Sequence, residues 1–152
     1  MATAEANRIE WRVPQAWPVT LRGDPLQYDR GMKHYRRTTH TRFNIKSHLV
    51  WITKYRKKLL RGDVGFRLCQ IVRTICAELE AEILKGHVSQ DYVHPFVFCP
   101  SHVLASYLMQ REKRKSSRIL LREYNHLNKA CWGSHLWVRE LFVASFGNVT
   151  DK

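Results

Sequence analysis

Two hydrophobic periods alternate along this sequence, and that alternation restricts its fold more than any other feature. Phe43–Thr53 alternates and then becomes continuously apolar, which is typical of a core strand. From Val64 to Leu84 the apolar residues recur at the spacing of one helix face. A second helical segment runs from Ser101 to about Leu127, and a strand-rich segment follows from Trp132 to Phe146.

Between the two helical segments, Gly86–Pro100 predicts a strand, a tight turn and a second strand. Pro95 lies inside that second strand, and because proline cannot donate to a ladder we expect a bulge or an edge position. The resulting order β-α-β-β-α-β predicts an α+β ferredoxin-like or RRM-like sandwich, an antiparallel sheet with helices on one face. We expect this domain to occupy residues 32–152, after an irregular extension that prolines and glycines interrupt over residues 1–31.

The charge of the chain favours a polyanionic partner. It has 26 Lys and Arg residues against 13 Asp and Glu residues, which gives a net charge of +13. Nucleic acid is the first candidate and an anionic membrane surface the second, and a solubilising surface excess is the remaining explanation. No apolar stretch is long enough to span a bilayer, no secretory signal is recognisable and no C-x-x-C pair occurs. We therefore expect a cytoplasmic protein with no membrane partner.

Two basic runs are candidate DNA contacts. The first run consists of Lys54, Tyr55, Arg56 and Lys57. Cations beside an aromatic ring suit single-stranded nucleic acid, because the cations meet phosphates and the ring can stack on a base. The second run consists of Lys113, Arg114, Lys115, Ser116, Ser117 and Arg118. Its cations and hydroxyls suit phosphate oxygens. A solvated loop and a basic solvent-facing helix are the respective alternatives.

A possible metal site involves a histidine in the second strand of the predicted hairpin. Tyr92 and His94 are two residues apart and therefore point to the same side of a strand. Two histidines at this spacing could bind one metal ion, whereas a histidine with a tyrosine is a poor site for a divalent cation. A purely structural His94 is the alternative. His87, His102 and His135 show no metal-ligand spacing relative to it.

Several segments of the chain occur in the order and spacing of a known family. These segments are Met32–His40, Leu49–Lys57, Lys115–Arg118, Trp132–Trp137 and Gly147–Thr150. Together they resemble the HUH single-tyrosine transposases, which move small insertion sequences as single-stranded DNA. The resemblance extends from about Met32 to the last residue.

The resemblance implies a ferredoxin-like domain that forms a homodimer through its sheet and recognises DNA hairpins near the ends of the element. In the family, two histidines on either side of a hydrophobic residue hold Mg²⁺ or Mn²⁺, which polarises the scissile phosphate. A tyrosine on a C-terminal helix attacks that phosphate and leaves a 5′-phosphotyrosine and a free 3′-hydroxyl. The implied function is therefore metal-dependent cleavage and rejoining of single-stranded DNA during transposition.

The sequence departs from the family pattern at the residues that carry this chemistry. Tyr92 occupies the position of the first histidine, so that only His94 is left as a residual metal ligand. The family's nucleophilic tyrosine and glutamine follow the segment matched by Gly147–Thr150, and the sequence stops at Lys152. We therefore expect the tyrosine helix to be absent and this transposase to be catalytically defective. One alternative is a non-catalytic DNA-binding module that acts as a repressor or dominant-negative partner. Another is an enzyme whose tyrosine helix comes from a partner chain.

Overall fold

The computed structural model describes residues 9–11, 36–37, 42–43, 45–131, 133 and 135–146. Its strands are β1 (Ile9–Trp11), β2 (Arg36–Arg37), β3 (Arg42–Phe43), β4 (Lys46–Ile52), β5 (Glu82–Val88), β6 (Tyr92–Phe98) and β7 (Phe142–Phe146). Its helices are α1 (Asp63–Glu78), α2 (Ala105–Glu123) and α3 (Asn125–Ala130).

The main sheet has five strands in the order β1-β5-β6-β4-β7, with every neighbouring pair antiparallel. Strands β2 and β3 form a separate two-stranded sheet. From β4 onward the main elements follow one another as β4, α1, β5, β6, α2 and β7, with the short α3 after α2. This arrangement confirms the predicted α+β sandwich and its β-α-β-β-α-β order.

The helices cover one face of the sheet. Leu49 and Trp51 of β4 and Val93 and Val97 of β6 are buried in one core with apolar residues of α1 and α2. Val50, His94 and Phe96, which alternate with these buried residues, are half-buried on the opposite face, as the two-residue period of a strand requires. Removal of the apolar side chains from water is the main stabilising contribution, at about 1.5–3 kcal/mol for each large one.

The first helix ends earlier than the sequence predicts. The predicted helix continues to Leu84, whereas α1 ends at Glu78 and Leu84 belongs to β5. Glu80 adopts the left-handed conformation with φ 55°, and the Ala81 N–H donates to the Cys76 carbonyl at 2.8 Å. This is the geometry of a Schellman C-cap motif, in which the left-handed residue is usually glycine. Because glutamate occupies that position here, the sequence gives no signal for the end of the helix.

Pro95 does not lie at an edge, and that part of the prediction is wrong. It is buried in β6, between β5 and β4. The register irregularity is on the neighbouring strand, between Ile83 and Lys85 of β5. Residues of β6 before and after Pro95 pair with β4, whereas Pro95 itself does not, which agrees with the missing N–H of proline.

The predicted irregular extension contains one short strand. Residues 9–11 form β1, antiparallel to β5, with Ile9 opposite Val88 and Trp11 opposite Gly86. The rest of residues 1–31 lies outside the described residues, as do Trp132, Ser134, residues 147–152 and most of 32–41. No helix in the described ranges is long and apolar enough to cross a membrane.

Candidate nucleic-acid interface

The sheet face opposite the helices carries a cluster of rings, which we call the histidine face. It consists of His48 from β4, His87 from β5, and Tyr92, His94 and Phe96 from β6. The strand register places His48 opposite Phe96 and His87 opposite His94. The rings of His48 and Phe96 stack with their centroids 4.2 Å apart, and those of His87 and His94 are 5.1 Å apart.

Hydrogen bonds join these rings in pairs. Nδ1 of His48 lies 2.9 Å from Nε2 of His94, so one ring donates and the other accepts. Nε2 of His87 lies 3.2 Å from the Tyr92 hydroxyl oxygen. Burial lowers the pKa of His94, and repulsion from His48 lowers it further. Both effects favour the neutral form of the His94 ring.

The histidine face does not fit a Mg²⁺ or Mn²⁺ site. The Tyr92 hydroxyl lies 3.2 Å from Nε2 of His87 and Nε2 of His94 lies 2.9 Å from Nδ1 of His48, so each candidate ligand is already engaged by another ring. A phenol stands where a second imidazole would be needed beside His94, and a histidine with a neutral phenol is a poor site for a divalent cation. Among the residues that the structure describes, no three His, Cys, Asp or Glu side chains are arranged to hold a metal ion.

Sequence reasoning missed two members of this face. The sequence shows no metal-ligand spacing between His87 and His94, and nothing in the sequence near His48 relates it to them. The signal for His87 was present: a hairpin turn centred between Gln90 and Asp91 pairs residue 87 with residue 94. His48 could be placed only with the pairing register of β4 and β6.

The first basic run forms a turn directly after β4. Tyr55 is 77% exposed, and the Lys54 ammonium lies 5.3 Å from its ring centroid. The Arg56 Nε donates to the Asp91 carboxylate at 2.8 Å, and the Lys57 ammonium donates to the Ala130 carbonyl at 2.6 Å. The turn thus presents an exposed aromatic ring together with cations that also tie it to the domain.

The second basic run lies on α2, and its residues differ in whether they are held by contacts within the protein or remain accessible to a ligand. Lys115 donates to Glu78 at 2.7 Å, and this contact is the main cause of the lowered pKa of Glu78. The Lys113 ammonium donates to the carbonyls of Val138, Arg139 and Glu140. These two lysines are committed to contacts within the protein.

Ser116 requires a correction. It is fully buried, and its hydroxyl oxygen lies 3.2 Å from the Lys113 carbonyl and accepts from the Trp137 indole at 3.1 Å. Since a phosphate cannot reach this hydroxyl, the predicted DNA contact of Ser116 is not retained. Arg114 and Arg118 are exposed and Ser117 is half-buried, so these three keep access to a ligand.

A groove of about 300 Å³ runs between α2 and the segment before β7. Arg114 and Ser117 line one side, and His135 and Arg139 line the other. A concave surface with guanidinium groups on both walls suits the phosphates of a nucleic acid strand.

The comparisons with known proteins agree on one family. A family model described as "Transposase IS200 like" matches residues 41–152. The transposases for insertion sequence element IS200 from Salmonella typhimurium and Salmonella typhi are each 29% identical over 113 residues, 74% of this chain and 74% of theirs. The ISDra2 transposase TnpA of Deinococcus radiodurans is 30% identical over 95 residues, which cover 62% of this chain and 68% of that protein.

A solved structure of a transposase-like protein from Deinococcus radiodurans R1 has a similar fold. The TM-score is 0.68 at 26% sequence identity, and the alignment covers 74% of this chain and 87% of the other.

Proposed function

Because this chain belongs to the IS200-like transposase family, we propose that it binds hairpin-bearing single-stranded DNA of the kind found at insertion-sequence ends, without cleaving it. The observation that carries this proposal is the bond between His48 and His94, together with Tyr92 at the position expected for the first histidine of the pair. The two candidate metal ligands, His94 and Tyr92, are thereby engaged with the rings of His48 and His87. Among the tyrosines that the structure describes, Tyr92 is the one that belongs to a sheet strand.

The DNA-binding part of the proposal rests on the cations that remain accessible. Arg114 and Arg118 are exposed on α2, and the turn after β4 adds Lys54 and Lys57. A net charge of +13 strengthens the attraction of a polyanion at long range. These groups would contact backbone phosphates, which set the position of the DNA on the protein.

We further propose a homodimer formed through the β7 edge of the sheet. Within the described part of the chain, β7 pairs with β4 alone, so its outer edge is open to a strand from a second copy. Phe142 at the start of β7 is 61% exposed. An open edge beside an exposed aromatic side chain is a ready surface for strand addition.

The alternative proposal is a regulatory role. A protein that binds the element ends without cleaving them would act as a repressor or, by pairing with an active subunit, as a dominant-negative partner. Dominant-negative pairing requires an active subunit, whereas repression does not. A DNA complex of unchanged size when active transposase is added supports repression, and a mixed complex supports dominant-negative pairing.

A fluorescence anisotropy titration tests the proposed binding. The probes are a hairpin from the DNA that flanks this gene and an unstructured strand of equal length, each at two salt concentrations. We expect tighter binding of the hairpin at both. Arg114→Ser and Arg118→Ser should each make the salt dependence shallower by about one unit of slope. Lys115→Ser is the matched control, since Lys115 is paired with Glu78. Equal affinity for both probes would contradict hairpin recognition.

A further inference from the structure

The turn after β4 has a backbone conformation that side-chain-bearing residues rarely adopt. Tyr55 has φ 59° and Arg56 has φ 53°, so two consecutive non-glycine residues are in the left-handed region. Such conformations persist only where the surroundings impose them, and they are concentrated at functional sites. The contacts that hold the turn, and the side chain that the turn exposes, are therefore of functional interest.

Contacts from three parts of the domain hold the turn. Thr53 is fully buried, and its hydroxyl lies 2.7 Å from the Lys57 carbonyl and 3.3 Å from that of Asp91. The Lys54 N–H donates to the Leu136 carbonyl at 2.9 Å. The side chains of Arg56 and Lys57 reach Asp91 and the end of α3, as described above. The turn is thus fixed to the β5–β6 turn, to α3 and to the segment before β7.

This rigid turn presents the Tyr55 ring to solvent. At 77% exposed, Tyr55 is the most exposed of the large hydrophobic side chains whose burial the structure describes. A ring that contributed to the packing of the core would be covered by other residues. The Tyr55 ring is instead exposed to solvent, with the Lys54 ammonium next to it. Lys57 and Lys58 are also exposed next to it.

An exposed aromatic ring next to cations is suited to an unpaired nucleotide. The base can stack on the ring while its phosphates meet the ammonium groups, and stacking of this kind does not depend on the identity of the base. Bases inside a duplex stem already stack on their neighbours and offer no free face. The ligand chemistry is therefore that of an unpaired nucleobase.

We propose that Tyr55 stacks on one unpaired nucleobase of the bound DNA, in a hairpin loop or in a single-stranded tail. This inference rests on the proposed DNA binding and adds the recognition of an unpaired base to it. The turn holds the ring ready, so that little side-chain freedom is lost when the base is bound.

The test uses the full chain with Tyr55 as tyrosine, phenylalanine, leucine or glycine. Phenylalanine keeps the stacking ring, leucine removes it, and glycine removes it while relieving the left-handed backbone. We expect Tyr55→Phe to bind the hairpin like wild type. Tyr55→Leu and Tyr55→Gly should each raise the dissociation constant by about tenfold. Tyr55→Gly should melt at a temperature no lower than wild type, which separates loss of the ring from loss of the fold.

A fluorescent base shows whether stacking is direct. 2-Aminopurine is placed singly at each unpaired position of the hairpin loop and tail, and in the stem as a control. Wild type and Tyr55→Phe should quench it at one unpaired position, and Tyr55→Leu and Tyr55→Gly should not. If all four proteins bind the hairpin with the same affinity and the same quenching, the stacking inference is wrong although the proposed function stands. If wild type does not bind the hairpin, both are overturned.

Discussion

His48 on β4 and His94 on β6 are joined ring to ring across the sheet, with Nδ1 of the first 2.9 Å from Nε2 of the second. The bond uses one nitrogen of each imidazole. A metal ion bound at Nε2 of His94 would have to break it, and Tyr92, directed to His87, would not replace the lost contact. This relationship supports the proposal that the chain binds DNA without metal-dependent cleavage.

We expect Tyr92→His to gain affinity for Mn²⁺, because it would place a second imidazole on the same strand face as His94. Isothermal titration calorimetry with Mn²⁺ measures this gain. Wild type and the control variant Tyr92→Phe should show no saturable heat. Wild-type binding with a dissociation constant equal to that of Tyr92→His would contradict the account of the histidine face.

Glu112 should make the protein less stable as pH rises. It is fully buried on α2; Oε1 accepts from the Cys76 thiol at 3.2 Å, and Oε2 has no hydrogen-bond partner among the residues that the structure describes. Burial raises the pKa of Glu112 from 4.5 to about 8. The folded state therefore keeps a proton that the unfolded state releases, and stability is lost as pH rises from 4.5 through about 8.

The expected slope is about 1.4 kcal/mol of unfolding free energy for each pH unit within that window. Urea unfolding at several pH values measures it. Glu112→Gln, which keeps the shape and cannot ionise, should remove this contribution. An equally steep fall in the Glu112→Gln variant would assign the pH dependence to other groups.

Lys113 and Arg114 are neighbours on α2 for which we expect opposite phenotypes. Lys113 holds three backbone carbonyls of the segment before β7. Lys113→Met should lower the free energy of unfolding by about 2 kcal/mol, because charged hydrogen bonds are lost. Arg114→Met should leave stability nearly unchanged and weaken DNA binding. Thermal melts and anisotropy titrations on both variants check this, and equal effects on stability would contradict the assignment of Lys113.

Deletion of residues 1–31 should promote self-association. Strand β1 covers the outer edge of β5, and without it the unpaired N–H and C=O groups of β5 become available to another chain. Sedimentation velocity should show concentration-dependent species larger than those of the full chain. If the deletion changes neither sedimentation nor melting temperature, β1 does not protect this edge.

The fold could be predicted because its two periods are local properties of the sequence. The ends of the elements were harder to predict. Ile83 and Leu84 continue the helical periodicity of α1, and only the left-handed backbone of Glu80 shows that the helix has ended. Proline disfavours central strands, so the sequence predicts a bulge or an edge position at Pro95, whereas the core tolerates it where the β4 ladder is interrupted.

The site was harder to predict because it depends on contacts between distant residues. The sequence of the basic run on α2 predicts one continuous surface. In the structure, however, Ser116 faces the core and Lys113 faces the segment before β7. Helix phase could have separated Ser116 from Arg114, since residues two apart point in different directions. The pairing of His48 with His94 needed the register of two strands separated by α1 and β5.

The central claim is that this chain binds element-end DNA without cutting it, and one incubation tests it directly. A hairpin from the flanking DNA, labelled at both ends so that the released fragment and a 5′-phosphotyrosine adduct are both visible, is mixed with the protein in Mg²⁺ or Mn²⁺ and, in parallel, in chelator. Each sample is divided between a native gel and a denaturing protein gel. The account predicts a shifted complex of equal intensity under all conditions, with no shortened strand and no covalent adduct. A denaturant-resistant protein–DNA adduct, or a complex that forms only with metal, would contradict it.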